Sequence, residues 1–314
     1  MKILVTGGAG FVGSHLCDAL VDRGDTVVCV DDLSSGSRAN LTRLLSSPRF
    51  TFVEASVLEP VDVGDVDGVL HLASPASPVA YLRRPIFTLR TGSEGTRNVL
   101  DVALANSARF VLASTSEVYG DPLVHPQTED YWGNVNPAGP RSVYDEAKRY
   151  AEALTTAYRT AHGADTGIVR IFNTYGPRMR SDDGRVVSSF IDQALRCAPL
   201  TVFGDGSQTR SLCYVDDLVR GLLAMLDSRE PGPVNLGNPV ELTIRQIATL
   251  VRDLVGSPSR IEFHPLPQDD PTRRKPDITR ARERLGWSPR VRVRDGIART
   301  IEWHAQALQE VGAS

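Results

Sequence analysis

The sequence predicts an α/β fold, a doubly wound parallel sheet followed by a smaller α/β domain that carries substrate specificity. Three features support this. Short β-branched runs alternate with longer helical patterns through the first half, and strands that are apolar throughout belong to a parallel sheet covered on both faces. A glycine-rich turn at residues 7–13 joins the first strand to the first helix, and an acid, Asp31, ends the second strand. After Pro177 the alternation gives way to helices separated by short strands and Pro/Gly-rich turns. Together these describe a Rossmann-type doubly wound parallel sheet with a smaller C-terminal α/β substrate-binding domain.

In chain order, strands are expected at Lys2–Thr6, Thr26–Val30, Phe50–Val53, Gly68–Leu72, Phe110–Ala113 and Gly167–Ile171. Helices are expected around Gly10–Arg23, Ile86–Ala105 and Val143–His162, and the spacing up to Asp31 makes the first unit β-α-β. Further helices are expected at Val186–Cys197, Asp216–Leu226, Thr243–Val255, Asp277–Leu285 and Val293–Leu308. The stretch Gly256–Pro276 carries five prolines and is expected to be irregular and loop-dominated. The division this suggests is a dinucleotide-binding domain over 1–176, rejoined around 211–236, and a mainly substrate-binding domain over 177–314.

At 314 residues the chain is long enough for roughly two domains. Its 41% hydrophobic and 23% charged residues are those of an ordinary globular protein. A formal charge of -3 argues against a general nucleic-acid binder. One basic stretch, Arg273–Arg294, holds nine Lys/Arg against two acids, and beyond Arg280 it reads as a solvated helix face. Cys17, Cys29, Cys197 and Cys213 lie far apart, which fits neither a disulfide scaffold nor a zinc site. The histidines show no metal-ligand spacing, so no metal is expected. The apolar start Ile3–Val5 is too short for a signal peptide's core, and no apolar run approaches the ~20 residues of a membrane span. A cytoplasmic protein is expected.

In Gly7-Gly8-Ala9-Gly10-Phe11-Val12-Gly13 the glycines permit a tight turn and close approach of the backbone to a pyrophosphate at the helix N-terminus. Asp31 can accept from a ribose 2′-hydroxyl and repels a 2′-phosphate, which favours NAD over NADP. Tyr144 and Lys148 share a helix face at i, i+4, where an ammonium near a phenol lowers its pKa and suits it to act as a base. Upstream, Ser114-Thr115-Ser116-Glu117 follows a strand whose end faces the ligand crevice.

These residues resemble the extended short-chain dehydrogenase/reductases that act on nucleotide sugars. The G-x-x-G-x-x-G turn, Thr115 and the Tyr144/Lys148 pair carry the likeness. It continues in His71–Pro78, Ala113–Pro122, Ile171–Arg178, Asp183–Ser188, Gly206–Arg210, Pro233–Pro239 and Asp269–Ile278, which cover nearly the whole chain. Within the family, Thr115-Ser116-Glu117 is similar to the members that decarboxylate UDP-glucuronate. The 4,6-dehydratases carry an Asp at the Ser116 position, and the 4-epimerases usually lack the Glu.

The resemblance implies catalytic roles for Thr115, Glu117, Tyr144, Lys148 and Arg274. It implies NAD contacts from Gly7, Gly10, Phe11, Val12, Gly13, Asp31, Asp32, Leu33, Ser35, Gly36, Ser56 and Val57. Leu72, Ala73, Ser74, Thr91, Ala113, Tyr144, Lys148, Thr174 and Arg185 complete that set. The UDP-sugar would meet Ser74, Pro75, Thr115, Ser116, Glu117, Tyr144, Asn173, Arg178, Thr201, Phe203, Arg210 and Arg274. Ser56, Gly92 and Arg180 depart from the family pattern on the cofactor side, so release of a UDP-4-keto-pentose before the final reduction is an alternative outcome. Another NDP-sugar epimerase or dehydratase and a non-catalytic NAD sensor are the other readings, the Tyr/Lys pair speaking against the sensor. A homodimer is implied, through helices around Ile86–Ala105 and Val143–His162.

Overall fold

The computed structural model describes residues 1–266 and 273–313. Strands β1 (Lys2–Thr6), β2 (Thr26–Asp31), β3 (Phe50–Glu54) and β4 (Gly68–His71) are linked through α1 (Phe11–Arg23) and the loops after β2 and β3. Next come α2 (Pro78–Arg83), α3 (Pro85–Arg90), a π-helical turn at Thr91–Gly95, and α4 (Thr96–Ala105). They lead to β5 (Arg109–Thr115), α5 (Ser142–His162), β6 (Thr166–Ile171) and the short β7 (Thr174–Tyr175). The remainder is α6 (Val186–Leu195), β8 (Leu200–Phe203), β9 (Thr209–Ser211), β10 (Cys213–Tyr214), α7 (Val215–Asp227) and β11 (Val234–Leu236). It ends with β12 (Glu241–Thr243), α8 (Ile244–Val255), β13 (Ile261–His264), α9 (Thr279–Leu285) and α10 (Val293–Ala313).

Seven strands form one parallel sheet in the order β11-β6-β5-β4-β1-β2-β3. β4 and β5 are buried along their whole length, as expected of strands covered on both faces. The chain leaves the sheet after β6 and returns to its edge at β11, so residues 234–236 share the scaffold of the N-terminal half. α5 buries Tyr144, Lys148, Ala151 and Thr155 at spacings of three and four, which turns its chemistry-bearing face inward. At the end of β4, His71 bonds Thr6 Oγ1 (2.7 Å) and Thr96 Oγ1 (3.2 Å), and burial lowers its pKa to about 3, a neutral structural role.

Three expectations need correction. The helix expected over Ile86–Ala105 is two helices joined by the π-helical turn. There Gly92 lies so close to α5 that a Cβ would sit 2.7 Å from that of Ala147. α2 was not expected, although Pro78 at its first turn and Ser77, which accepts Ala80 N–H (3.3 Å), are ordinary start signals. The stretch Gly256–Pro276 is not wholly irregular. Its residues 261–264 form β13, which pairs in parallel with β8; residues 267–272 lie outside the described residues.

The basic stretch divides. Arg274 is buried, whereas Arg282, Arg284, Arg290, Arg292 and Arg294 are exposed. Trp287 anchors this segment on α7 by donating to Asp217 O (2.8 Å), and Asp217 Oδ2 accepts the N–H groups of Arg290 (2.9 Å) and Val291 (2.8 Å). Among the described residues, no helix is long and apolar enough to cross a membrane, and no cluster of metal-ligating side chains occurs.

Candidate active site

Two cavities meet at the C-terminal edge of the sheet, where strand order reverses between β1 and β4. The larger, about 770 Å³, runs from the glycine turn and Asp31 to Tyr144 and Lys148. The smaller, about 530 Å³, lies among α2, α6, β8 and Arg274. Ala76, Glu117, Tyr144, Asn173, Thr174 and Arg185 line both, so the shared wall holds the reactive groups.

The larger cavity fits a dinucleotide. Gly7 has φ +73°, and a Cβ there would lie 2.7 Å from Ala73 N; one on Gly13 would lie 2.2 Å from Gly7 O. Larger residues would therefore push the turn off the end of β4. The first turn of α1 has Gly10 as its N-cap and no side-chain cap, and its residues Phe11, Val12 and Gly13 line the cavity, which suits a pyrophosphate. At the end of β2, Asp31 is fixed by N–H donors from Leu33 (2.8 Å) and Ala9 (3.0 Å). Arg38, the nearby cation, instead lies over the Phe52 ring, 5.2 Å from its centroid. NAD is therefore expected to bind at least about tenfold more tightly than NADP, a difference on the order of 1.4 kcal/mol, measurable by calorimetric titration. Equal affinity would remove Asp31 from this role.

Of the residues expected at the cofactor, all but Leu33 and Ser56 line the larger cavity. Leu33 serves through its bond to Asp31, and Ser56 Oγ accepts Leu58 N–H (3.3 Å) in a turn. Of those expected at the substrate, Thr201, Phe203, Arg210 and Arg274 line the smaller cavity; Ser74, Pro75, Thr115 and Ser116 line the larger. Arg178 lies on the larger cavity too, paired with Asp18 of α1 (2.7 Å), beside the glycine helix and away from the sugar cavity.

At the shared wall, Thr115 stands beside the Tyr144 phenol. Burial holds that phenol well above its usual pKa, while Arg185 and Thr115 pull the other way. Lys148, expected to acidify this phenol, donates from its ammonium to Ala113 O (2.8 Å) and lies 5.9 Å from the Tyr144 ring centroid. Burial lowers Lys148 to about 8. Glu117 is drawn upward by burial, but Arg274 and Arg141 outweigh it and hold the carboxylate at about 2. Arg141 donates to Glu117 Oε2 (2.8 Å). Arg274, only 1% exposed, donates to Ser116 Oγ (3.0 Å) and Gly120 O (3.1 Å) and lies 3.4 Å from Glu117. A carboxylate so firmly ionised is an acceptor and an electrostatic fixture, not a proton donor.

Four neighbours had no sequence signal. Tyr81 stacks on Tyr144 with ring centroids 5.1 Å apart and planes at 7°, its buried hydroxyl without a hydrogen-bond partner among the described residues. Arg141, three residues before Tyr144, pairs with Glu117. Asp145 is pushed up to about 7 by burial and then by Glu117. Gln208 lines the smaller cavity, its amide oxygen without a hydrogen-bond partner among the described residues. Tyr144-x-x-x-Lys148 is a motif; Tyr81 and Gln208 are brought in by separate segments, whereas Arg141 and Asp145 stand beside it at the start of α5.

Fold and site together define a nucleotide-sugar enzyme of the short-chain dehydrogenase/reductase type. Residues 3–237 match the NAD dependent epimerase/dehydratase family, and the chain belongs to it. It is 52% identical over 301 residues to UDP-glucuronic acid decarboxylase 1 of Arabidopsis thaliana, covering 96% of this chain and 69% of that protein. Among solved structures it resembles the UDP-glucuronic acid 4-epimerase of Bacillus cereus, in complex with UDP-glucuronic acid and NAD. The TM-score is 0.88 at 31% identity, over 98% of this chain and all of that one (100%). It also resembles the UDP-glucose 4-epimerase of Thermotoga maritima with UDP-glucose, with TM-score 0.91 and 31% identity over 98% and 100% of the two chains.

Proposed function

We infer that the chain decarboxylates UDP-glucuronate to UDP-xylose through a 4-keto intermediate, using NAD catalytically. One observation carries this among the activities of the family: buried Arg274 is seated on Ser116 and ionised Glu117, with no acid at position 116 to protonate a leaving hydroxyl. The decarboxylases to which the chain is about half identical support the same reading.

Bound NAD supplies a hydride acceptor at C4, a hydride for the closing reduction, and a positive ring that favours the phenolate. Tyr144, beside Thr115, takes the 4-hydroxyl proton and afterwards stabilises the enolate oxygen as a donor. Oxidation at C4 makes the substrate a β-keto acid, so its carboxylate leaves as carbon dioxide without acid assistance. Glu117, held by Arg141 and Arg274, faces that carboxylate as a like charge and fixes the sugar's orientation. Arg185 and Arg210 on the smaller cavity offer cations to the diphosphate.

Arg180 is spent on Asp182 (2.8 and 2.7 Å) and Ser56 on a turn, which favours some release of UDP-4-keto-pentose. Adding UDP-glucuronate to the NAD-loaded protein should raise the reduced-nicotinamide absorbance transiently. An unchanged spectrum with bound substrate would favour a non-catalytic sensor.

The same reading includes a homodimer. Leu82 (52% exposed), Ile86 (67%) and Tyr150 (53%) give α2, α3 and α5 an apolar outer face suited to a second copy. Sedimentation should give twice 34.2 kDa, and Ile86→Glu should shift it towards the monomer. A monomeric parent chain would end this proposal. Four free thiols suit a reducing compartment such as the cytoplasm.

A further inference from the structure

Arg274 is the largest of the side chains buried in full, yet it lies outside the central sheet, on a segment at residues 273–278 with only one isolated β-bridge. Its aim therefore depends on whatever fixes that segment. The fixing contacts converge on Gln127 and Asn235, two buried residues that line neither cavity.

Gln127 uses all its polar groups. Its backbone N–H donates to Lys275 O (2.9 Å), and its side-chain Oε1 accepts Lys275 N–H (2.8 Å). Both backbone groups of the residue next to Arg274 are thus bound to one partner. The Gln127 carbonyl accepts Asp277 N–H (2.8 Å) and Asn235 Nδ2 (3.0 Å), and its Nε2 donates to Val124 O (2.8 Å). Asn235, in β11, also donates to Asp277 O (3.1 Å) and accepts the Tyr119 hydroxyl (2.8 Å). Tyr119 accepts Arg170 Nη1 (3.0 Å), and Arg170 grips Glu152 at 3.0 and 2.8 Å, one helical turn beyond Lys148. The network thus ties the Arg274 segment to the strand edge and to the helix that carries Tyr144 and Lys148.

Leaving a shielded backbone N–H or C=O unpaired is costly, so the segment is held to the register that satisfies Lys275 and Asp277. In that register Arg274 reaches Ser116 and Glu117. Gln127 does with its side chain what a neighbouring strand would do with its backbone.

We propose that Gln127, braced by Asn235, is a positioning residue that aims Arg274 at Ser116 and Glu117. This rests on the decarboxylase reading above, in which Arg274 serves the reaction.

A double-mutant cycle tests it. Gln127→Met removes the acceptor for Lys275 N–H at nearly constant length; Gln127→Glu keeps it. Gln127→Met should lower kcat for carbon dioxide release by about tenfold to a hundredfold while UDP binding by calorimetry stays unchanged. Gln127→Glu should recover most of that loss. In an Arg274→Gln background, Gln127→Met should change kcat by less than about threefold, because its route of action is already gone. Asn235→Asp, which keeps the Tyr119 acceptor and loses both donors, should repeat the pattern and serves if Gln127→Met does not fold. Equal losses in both backgrounds, or Gln127→Glu no better than Gln127→Met, would overturn the proposal. Arg274→Gln at full turnover would instead overturn the functional reading beneath it.

Discussion

Tyr144→Phe is expected to lower turnover of UDP-glucuronate by about a thousandfold and to leave UDP binding within about twofold. The lost atom is the phenol oxygen beside Thr115, whereas the ring, stacked on Tyr81 at 5.1 Å, keeps its place. Burial favours the protonated phenol, so deprotonation has to be driven by groups gathered at the site, Arg185 and Thr115 among them. Steady-state rates with a parallel UDP titration check this. Wild-type turnover in the Phe variant would remove Tyr144 as the base.

Glu117→Gln is expected to slow decarboxylation by about a hundredfold and to weaken substrate binding much less. It is also expected to destabilise the fold by roughly 3 kcal/mol, because it removes the carboxylate charge that faces the buried Arg274 and the partly buried Arg141. The sign of the pH dependence follows from the depressed carboxylate. The ion cluster's contribution is present above the ordinary Glu range and is lost only as pH falls through that range towards about 2. Glu117 therefore contributes no acid limb between pH about 5 and 8. Chemical denaturation and a pH-rate profile are the measurements. A Gln variant with native rate and stability would show that the cluster is dispensable.

The sheet was legible because β-branched runs and a 3.6-residue period report directly on burial: β1 to β6 and α1 lie within two residues of where the sequence puts them. What escaped depends on distant partners. β13 has only four residues and exists because β8 offers it an edge. The π-helical turn answers the close approach of Gly92 to Ala147, which no local pattern encodes. The glycine turn, Asp31 and the Tyr144/Lys148 spacing were readable because each is a short-range solution to one chemical need. Tyr81, Arg141 and Gln127 were not, since their roles arise from contacts with other segments: Tyr144 for Tyr81, Glu117 for Arg141, Lys275 for Gln127. Lys148 was legible as a neighbour of Tyr144, but the carbonyl that accepts its hydrogen bond, Ala113 O, lies on β5.

The central claim is that a 4-keto uronate at this site loses its carboxylate because Ser116, Glu117 and Arg274 provide an oriented, charge-fixed pocket with no acid for eliminating a hydroxyl. The most direct test is NMR of the sugar products formed from UDP-glucuronate and, separately, from UDP-glucose, with NAD present and carbon dioxide collected. The expected result is carbon dioxide with UDP-xylose, some UDP-4-keto-pentose beside it, and no conversion of UDP-glucose. UDP-galacturonate without carbon dioxide, or a 4-keto-6-deoxy sugar from UDP-glucose, would contradict it.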